Sequence, residues 1–226
     1  MTGTLCLSAC APGMQAGVDS IRQAVQRGGT VDASPLDPNF TYLRVTRGSH
    51  TGLLWRGSIE GTSADPVEVF YSGTGEVLRL RDGRIVGAVG LTTEWRRVEV
   101  TGPAWASAAA RQQSGPFVRL RDVMPGYRTG LRDELVLNVI PPPKRTALQA
   151  VYPAVLTWFE ETAIQPKGGG WGLPAAETLP AARYAVDLRG GQASVVYSEQ
   201  CLARDYCFTW QRWSAALQQA AAATPR

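Results

Sequence analysis

Val77-Leu78-Arg79-Leu80-Arg81-Asp82-Gly83-Arg84-Ile85-Val86-Gly87-Ala88-Val89 is the stretch from which the fold class can be read. Leu78 and Leu80 alternate with Arg79 and Arg81, the period of a strand whose two faces see different surroundings. Asp82-Gly83 separates this run from a second apolar run. A two-residue turn of that composition makes a hairpin, because both positions need positive φ, which Gly adopts freely and Asp tolerates. Upstream, Val67, Val69 and Tyr71 alternate with Glu68, Phe70 and Ser72, and Gly73-Thr74-Gly75 turns that strand into the hairpin. Three successive antiparallel strands form a meander.

The same alternation puts Thr41, Leu43 and Val45 on one face and Tyr42, Arg44 and Thr46 on the other. Strands are expected over residues 53–59, 117–121, 135–140, 154–162, 183–188, 193–198 and 207–213, with Gly190-Gly191 turning another hairpin. Helical pattern is confined to short terminal stretches at 18–26 and 214–222, while 94–110 fits either strand or helix. Pro141-Pro142-Pro143 and residues 166–172 read as loops, since strand pattern resumes on both sides. The chain has 226 residues, 44% hydrophobic and 19% charged, with 24 Gly and 15 Pro. That composition suits one turn-rich, mainly β core. No apolar run reaches the roughly 18 residues of a membrane-spanning helix.

A net charge of +4 weakly favours anionic partners. The basic residues are all Arg except Lys144 and Lys167, and they are dispersed, so nucleic acid is not an expected partner. His50 is the single histidine. It cannot build a His-type zinc site, and Ser49-His50-Thr51 has no orienting acid, so no metal or cofactor is expected. Asp133-Glu134 and Glu160-Glu161 are adjacent carboxylates in strand-like runs. Neighbours in a strand point to opposite faces, so both pairs are expected on the solvated surface and not as a glycosidase dyad. Gly168-Gly169-Gly170 lacks the Lys-Ser/Thr of a phosphate loop. The chain is therefore expected not to be an enzyme. Seven Trp are more suggestive. An indole stacks on a sugar face while guanidinium groups pair with acidic substituents. Trp55, Arg56, Trp95, Arg96 and Arg97 are the candidate glycan-binding residues, with core filling as the competing role of the two Trp.

Leu7-Ser8-Ala9-Cys10 has the form of a bacterial lipobox, in which a small residue precedes a Cys that receives diacylglycerol. Residues 1–17 are accordingly expected to be a truncated lipoprotein signal, lipobox and tether, because a full secretory signal has a charged start and a longer apolar stretch. Cys10 is the expected lipid-attachment residue. Ala11, not Asp, follows it, which directs such lipoproteins to the outer membrane. Several acyl chains, at about 0.8 kcal/mol per buried methylene, make that attachment durable. Cys201 and Cys207 lie between two strand-like runs, where a hairpin brings them together. A disulfide there fits an exported protein; two free thiols fit a reducing compartment.

The order of phrases has a further meaning. The hairpin return Gly83-Arg84-Ile85-Val86 through Gly90-Leu91, a later strand with Glu160-Glu161, and the closing Tyr184-Ala185-Val186-Asp187 through Gly191 to Val196-Tyr197-Ser198-Glu199-Gln200 are similar to the YjbF/GfcB family of lipoproteins, over about residues 18–213. The family continues from Ser-Glu-Gln into a proline-bearing stretch, where this chain has Cys201 and Cys207. The resemblance implies a large antiparallel meander curled into a half-barrel over 18–213, with a helical tail at 214–226. It implies an outer-membrane lipoprotein on the periplasmic side, without catalysis, assisting capsule or exopolysaccharide secretion. Its expected partners are the outer membrane, anionic polysaccharide and polysaccharide-export proteins. The alternative is a periplasmic lipid or lipoprotein carrier or chaperone that holds acyl chains in the hollow of the open half-barrel.

Overall fold

The computed structural model describes residues 34–164 and 178–223. The lipobox, Cys10, the expected helix at 18–26 and the Gly168-Gly169-Gly170 loop lie outside them. Twelve strands follow one another: β1 (Tyr42–Arg47), β2 (His50–Thr62), β3 (Asp65–Ser72), β4 (Val77–Arg81), β5 (Arg84–Val89), β6 (Glu94–Val100), β7 (Phe117–Met124), β8 (Arg128–Ile140), β9 (Thr157–Ala163), β10 (Ala182–Asp187), β11 (Ser194–Ala203) and β12 (Tyr206–Trp213). Helix α1 (Trp105–Arg111) lies between β6 and β7, and α2 (Ala215–Ala223) follows β12.

Each strand pairs antiparallel with its sequence neighbours, as a meander requires. The sheet does not stay open, however. β1 pairs with β12, Tyr42 opposite Trp213 and Thr46 opposite Thr209, so the architecture is a closed barrel and not the expected half-barrel. Hairpins are local and visible in turn residues, whereas closure joins strands at opposite ends of the chain. The Asp82-Gly83 turn has φ of 49° and 77°, the two positive values its sequence demands. The ambiguous 94–110 stretch divides into a strand and a helix. The strand expected from 154 begins only at Thr157, because Pro153–Val155 forms a 3-10 turn.

Inside and outside follow the register, since directly opposed residues share a face. Leu43 stands opposite both Leu54 and Arg212, and all three point inward. Outward, Arg96, Arg97, Glu99, Arg132 and Glu134 are exposed or largely so and paired within their own strands. Charged side chains on the outer face are the reverse of the apolar outer band of a membrane-spanning barrel. Two apolar outer patches are covered by chain. Leu217 and Ala221 of α2, with Leu36 and Phe40, pack over Tyr42, Leu53, Trp55 and Trp213. The segment at 141–156 lays Ala147, Leu148 and Val151 over Trp158, Ala185 and Tyr197. It is pinned by a reciprocal pair, Gln149 N donating to Gln211 Oε1 at 2.9 Å and Gln211 Nε2 to the Gln149 carbonyl at 2.8 Å.

A round twelve-stranded barrel would enclose a lumen too wide for its own side chains. This one avoids that by folding one wall inward. β5 and β6 share a single register pair, Ala88 with Trp95. The freed start of β5 crosses to β11 on the opposite wall. There the Ile85 N–H donates to Gln200 Oε1 at 3.1 Å, and Gln200 Nε2 donates to the Gly83 carbonyl at 3.0 Å. The Trp95 indole likewise donates to the Leu202 carbonyl at 2.9 Å. β5 is consequently buried on both faces from Arg84 to Ala88.

Candidate functional site

The tucked hairpin carries a charge into the interior. Arg84 is buried, its guanidinium 4.1 Å from the Trp105 ring and its Nε 3.0 Å from Glu161 Oε2. Trp105 reaches this point from α1, which closes that end of the barrel with its ring 5.1 Å from Phe159 and 5.0 Å from Tyr184. Glu161 also accepts from Arg119 Nη1 at 3.4 Å, and Arg119 Nε donates to Asp133 at 2.8 Å. Arg121 grips both oxygens of Asp133, at 2.8 and 3.2 Å. Three buried cations and two buried carboxylates thus form one chain, Arg84–Glu161–Arg119–Asp133–Arg121, with Arg119 and Arg121 also facing the Trp95 ring at 5.1 and 5.6 Å.

Burial by itself would raise the Asp133 carboxyl, and the Arg119 and Arg121 guanidinium groups outweigh it, holding it below the ordinary carboxylate range. Burial, with the Glu161 charge, pushes the Tyr184 phenol upward. An Asp pinned ionised by two guanidinium groups is a poor general acid. The space left beside Arg119 and Glu161 is about 10 Å³, about the limit for one water. This network braces the barrel and leaves no room for a substrate.

Asp133 and Glu161 correct the expectation of solvated pairs: each is buried, while its neighbour Glu134 or Glu160 faces out. The alternation argument holds, yet one member of each pair found an interior cation. Arg84, Arg119 and Arg121 were not singled out from sequence, although Arg119-Leu120-Arg121 places both guanidinium groups on one face.

The five candidate glycan residues do not form one platform. Trp55 lies buried under α2, and Trp95 is buried across the barrel, so neither ring offers a face to a ligand. Arg56 is on the interior face, its Nη1 2.8 Å from Glu68, which Arg212 also holds at 3.0 Å. Arg96 and Arg97 are exposed on the outside beside Glu94 and Glu99. Cys201 and Cys207 face each other across the β11–β12 hairpin and are joined by a disulfide. Among the described residues no cluster of three His, Cys, Asp or Glu is placed to hold a metal.

One part of the interior stays open. At the mouth formed by the β1–β2, β3–β4 and β11–β12 turns lies a cavity of about 400 Å³. Leu54, Leu78 and Phe208 form its floor and Val45 and Leu91 its walls. Gly52, opposite Val45, also lines it, and a Cβ built there meets no atom within 4 Å. The rim is polar. Arg47 and His50 are directly opposed across β1 and β2, and the Arg47 guanidinium lies 4.1 Å over the Tyr206 ring. Across the mouth, Glu76 accepts from the hydroxyls of Ser72 and Thr74. Burial works to raise its carboxyl, and those two hydroxyls outweigh it and lower it.

No protein-family model and no curated protein matches the sequence. The fold, by contrast, is similar to a solved one. It aligns with the crystal structure of the hypothetical lipoprotein YmcC from Escherichia coli K12 at a TM-score of 0.50 and 16% identity, covering 94% of this chain and 98% of that one. At that identity the likeness is one of fold, and it extends over nearly the whole of both chains.

Proposed function

We propose that this chain is a lipid-anchored protein of the bacterial outer membrane, facing the periplasm, that assists capsule or exopolysaccharide secretion by binding and not by catalysis. The observation that carries the reading is the conjunction of Leu7-Ser8-Ala9-Cys10 with a barrel similar from end to end to a protein described as a hypothetical lipoprotein. The Cys201–Cys207 bond supports an oxidising compartment. The buried Arg–carboxylate chain supports a binding role, since its acids are already committed to internal partners. The polysaccharide role rests on the YjbF/GfcB-like phrases, and the dispersed net positive charge is compatible with an acidic polymer.

The test has two arms. Mass spectrometry of the amino terminus from cells should find acyl groups on Cys10, and Cys10→Ser should release the protein from the membrane fraction. An unacylated, intact terminus in the cytosol would remove the anchor from the proposal. Deletion should reduce extracellular polymer without changing its chain length distribution. Normal export, or new reducing ends when purified protein meets native polymer, would overturn the accessory role.

A further inference from the structure

We infer that the open mouth of the barrel is a binding site for a single-chain anionic amphiphile, with the chain on the Leu54, Leu78 and Phe208 floor and the acidic head at Arg47. This goes beyond the export reading and does not depend on it. The expected hollow is absent through most of the barrel, because β5 and Trp95 cross to β11. Space remains at the mouth, where a cavity of about 400 Å³ falls in the range of small-molecule sites.

Three features set this cavity apart from an accidental gap in packing. Its apolar floor is continuous with the barrel core, so a ligand chain entering it meets a surface already shaped by Leu54, Leu78 and Phe208. Gly52 faces inward with nothing above it: any side chain would fill the space, and the one residue without a side chain occupies the position. Its rim also presents a cation that, among the described residues, pairs with no carboxylate. Every Arg of the interior network is bonded to a carboxylate, whereas Arg47, among the described residues, has only the Tyr206 ring beneath it. Stacking holds the guanidinium at the edge of the cavity and leaves its N–H donors for an oxyanion, which a planar fork grips in bidentate fashion. His50, opposed to Arg47, adds a further donor on the same face. Glu76, ionised on the far side of the rim, repels a second acidic group and so favours one head on the Arg47 side.

A fatty carboxylate satisfies these requirements together: one flexible apolar chain, one acidic head, and burial worth about 0.8 kcal/mol per methylene. Calorimetric titration of the whole chain with dodecanoate, dodecanol and dodecyltrimethylammonium separates the parts. Dodecanoate should bind most tightly, dodecanol about tenfold more weakly for want of the head contact, and the cation more weakly still. Arg47→Gln should reduce dodecanoate affinity about tenfold and leave dodecanol unchanged. Gly52→Phe should abolish binding of both by occupying the space, with the thermal midpoint retained as evidence that the barrel is intact. If Gly52→Phe does not fold, Gly52→Val serves the same purpose with less bulk. Absence of dodecanoate binding, equal affinity for all three amphiphiles, or binding untouched by Arg47→Gln and the Gly52 variants would each overturn the inference.

Discussion

The β4–β6 side of the barrel and its β1–β2 side are built from the same kind of alternating strand, yet one is pressed onto the opposite wall and the other stands clear of it. The difference lies in what each sends inward. On the first side Arg84, Ile85 and Trp95 reach Glu161, Gln200 and Leu202 across the barrel. On the second, Gly52 sends nothing, and the Arg47 guanidinium stays at the rim over Tyr206. A wall closes where its side chains find polar partners opposite, and stays open where a residue has no side chain to send. The same strand pattern therefore yields a packed brace and a cavity within one barrel.

The contrast breaks most severely at Asp133. Asp133→Ala leaves Arg119 and Arg121 buried without their shared carboxylate, and loss of one partner from a buried pair costs about 3–5 kcal/mol. Guanidinium unfolding should show that loss as a lower midpoint. Acid should weaken this brace, and the Glu68 pairing with Arg56 and Arg212, in the wild-type chain. The Asp133 and Glu68 carboxyls sit lower in the folded state than their ordinary values of 3.8 and 4.5; burial opposes this, and their Arg partners outweigh it. Their contribution is thus fully present above those values and is lost as the pH falls through the lower, folded ones. Stability measured from pH 7 downward should hold to about pH 5 and then decline, and a decline already complete at pH 5 would contradict the assignment.

A matched pair of glycine substitutions sharpens the comparison. In Gly102→Ala the new Cβ would stand 2.5 Å from Arg84 Cζ. That guanidinium is wedged between Trp105 and Glu161, so relief must come from the backbone, at about 1–3 kcal/mol. Removing the Cys201–Cys207 bond with a double Ser variant should cost about 2 kcal/mol, the chain-entropy value for so short a loop. Gly52→Ala, facing open space, should change stability by less than about 0.5 kcal/mol. Equal effects of the two glycine variants would mean that the mouth is as tightly packed as the collapsed side.

How much of this was legible beforehand differs from residue to residue. Asp82-Gly83 announced its hairpin because turn geometry is a property of two adjacent residues. The alternation of Asp133 with Glu134 announced that they face apart, but not which of them would be buried, since a strand's period says nothing about where its two faces look. Trp95 read as core by default with a ligand platform as the competing role, and the answer came from β11, more than a hundred residues later. The mouth left almost no trace: Arg47 and Gly52 share one local hairpin, but they acquire meaning only when Tyr206, more than 150 residues later, is brought beside them by the β1–β12 pairing.

The sequence alone determined a turn-rich, mainly β chain with antiparallel hairpins at its clearest turns, because alternation and turn chemistry act over a few residues. The tertiary structure decided that the meander closes, that one wall collapses onto the other, and that the interior holds a chain of ion pairs and an open mouth. Those outcomes depend on contacts between strands remote in the chain, where the cost of burying a charge is settled only by whether an opposite charge arrives from the facing wall.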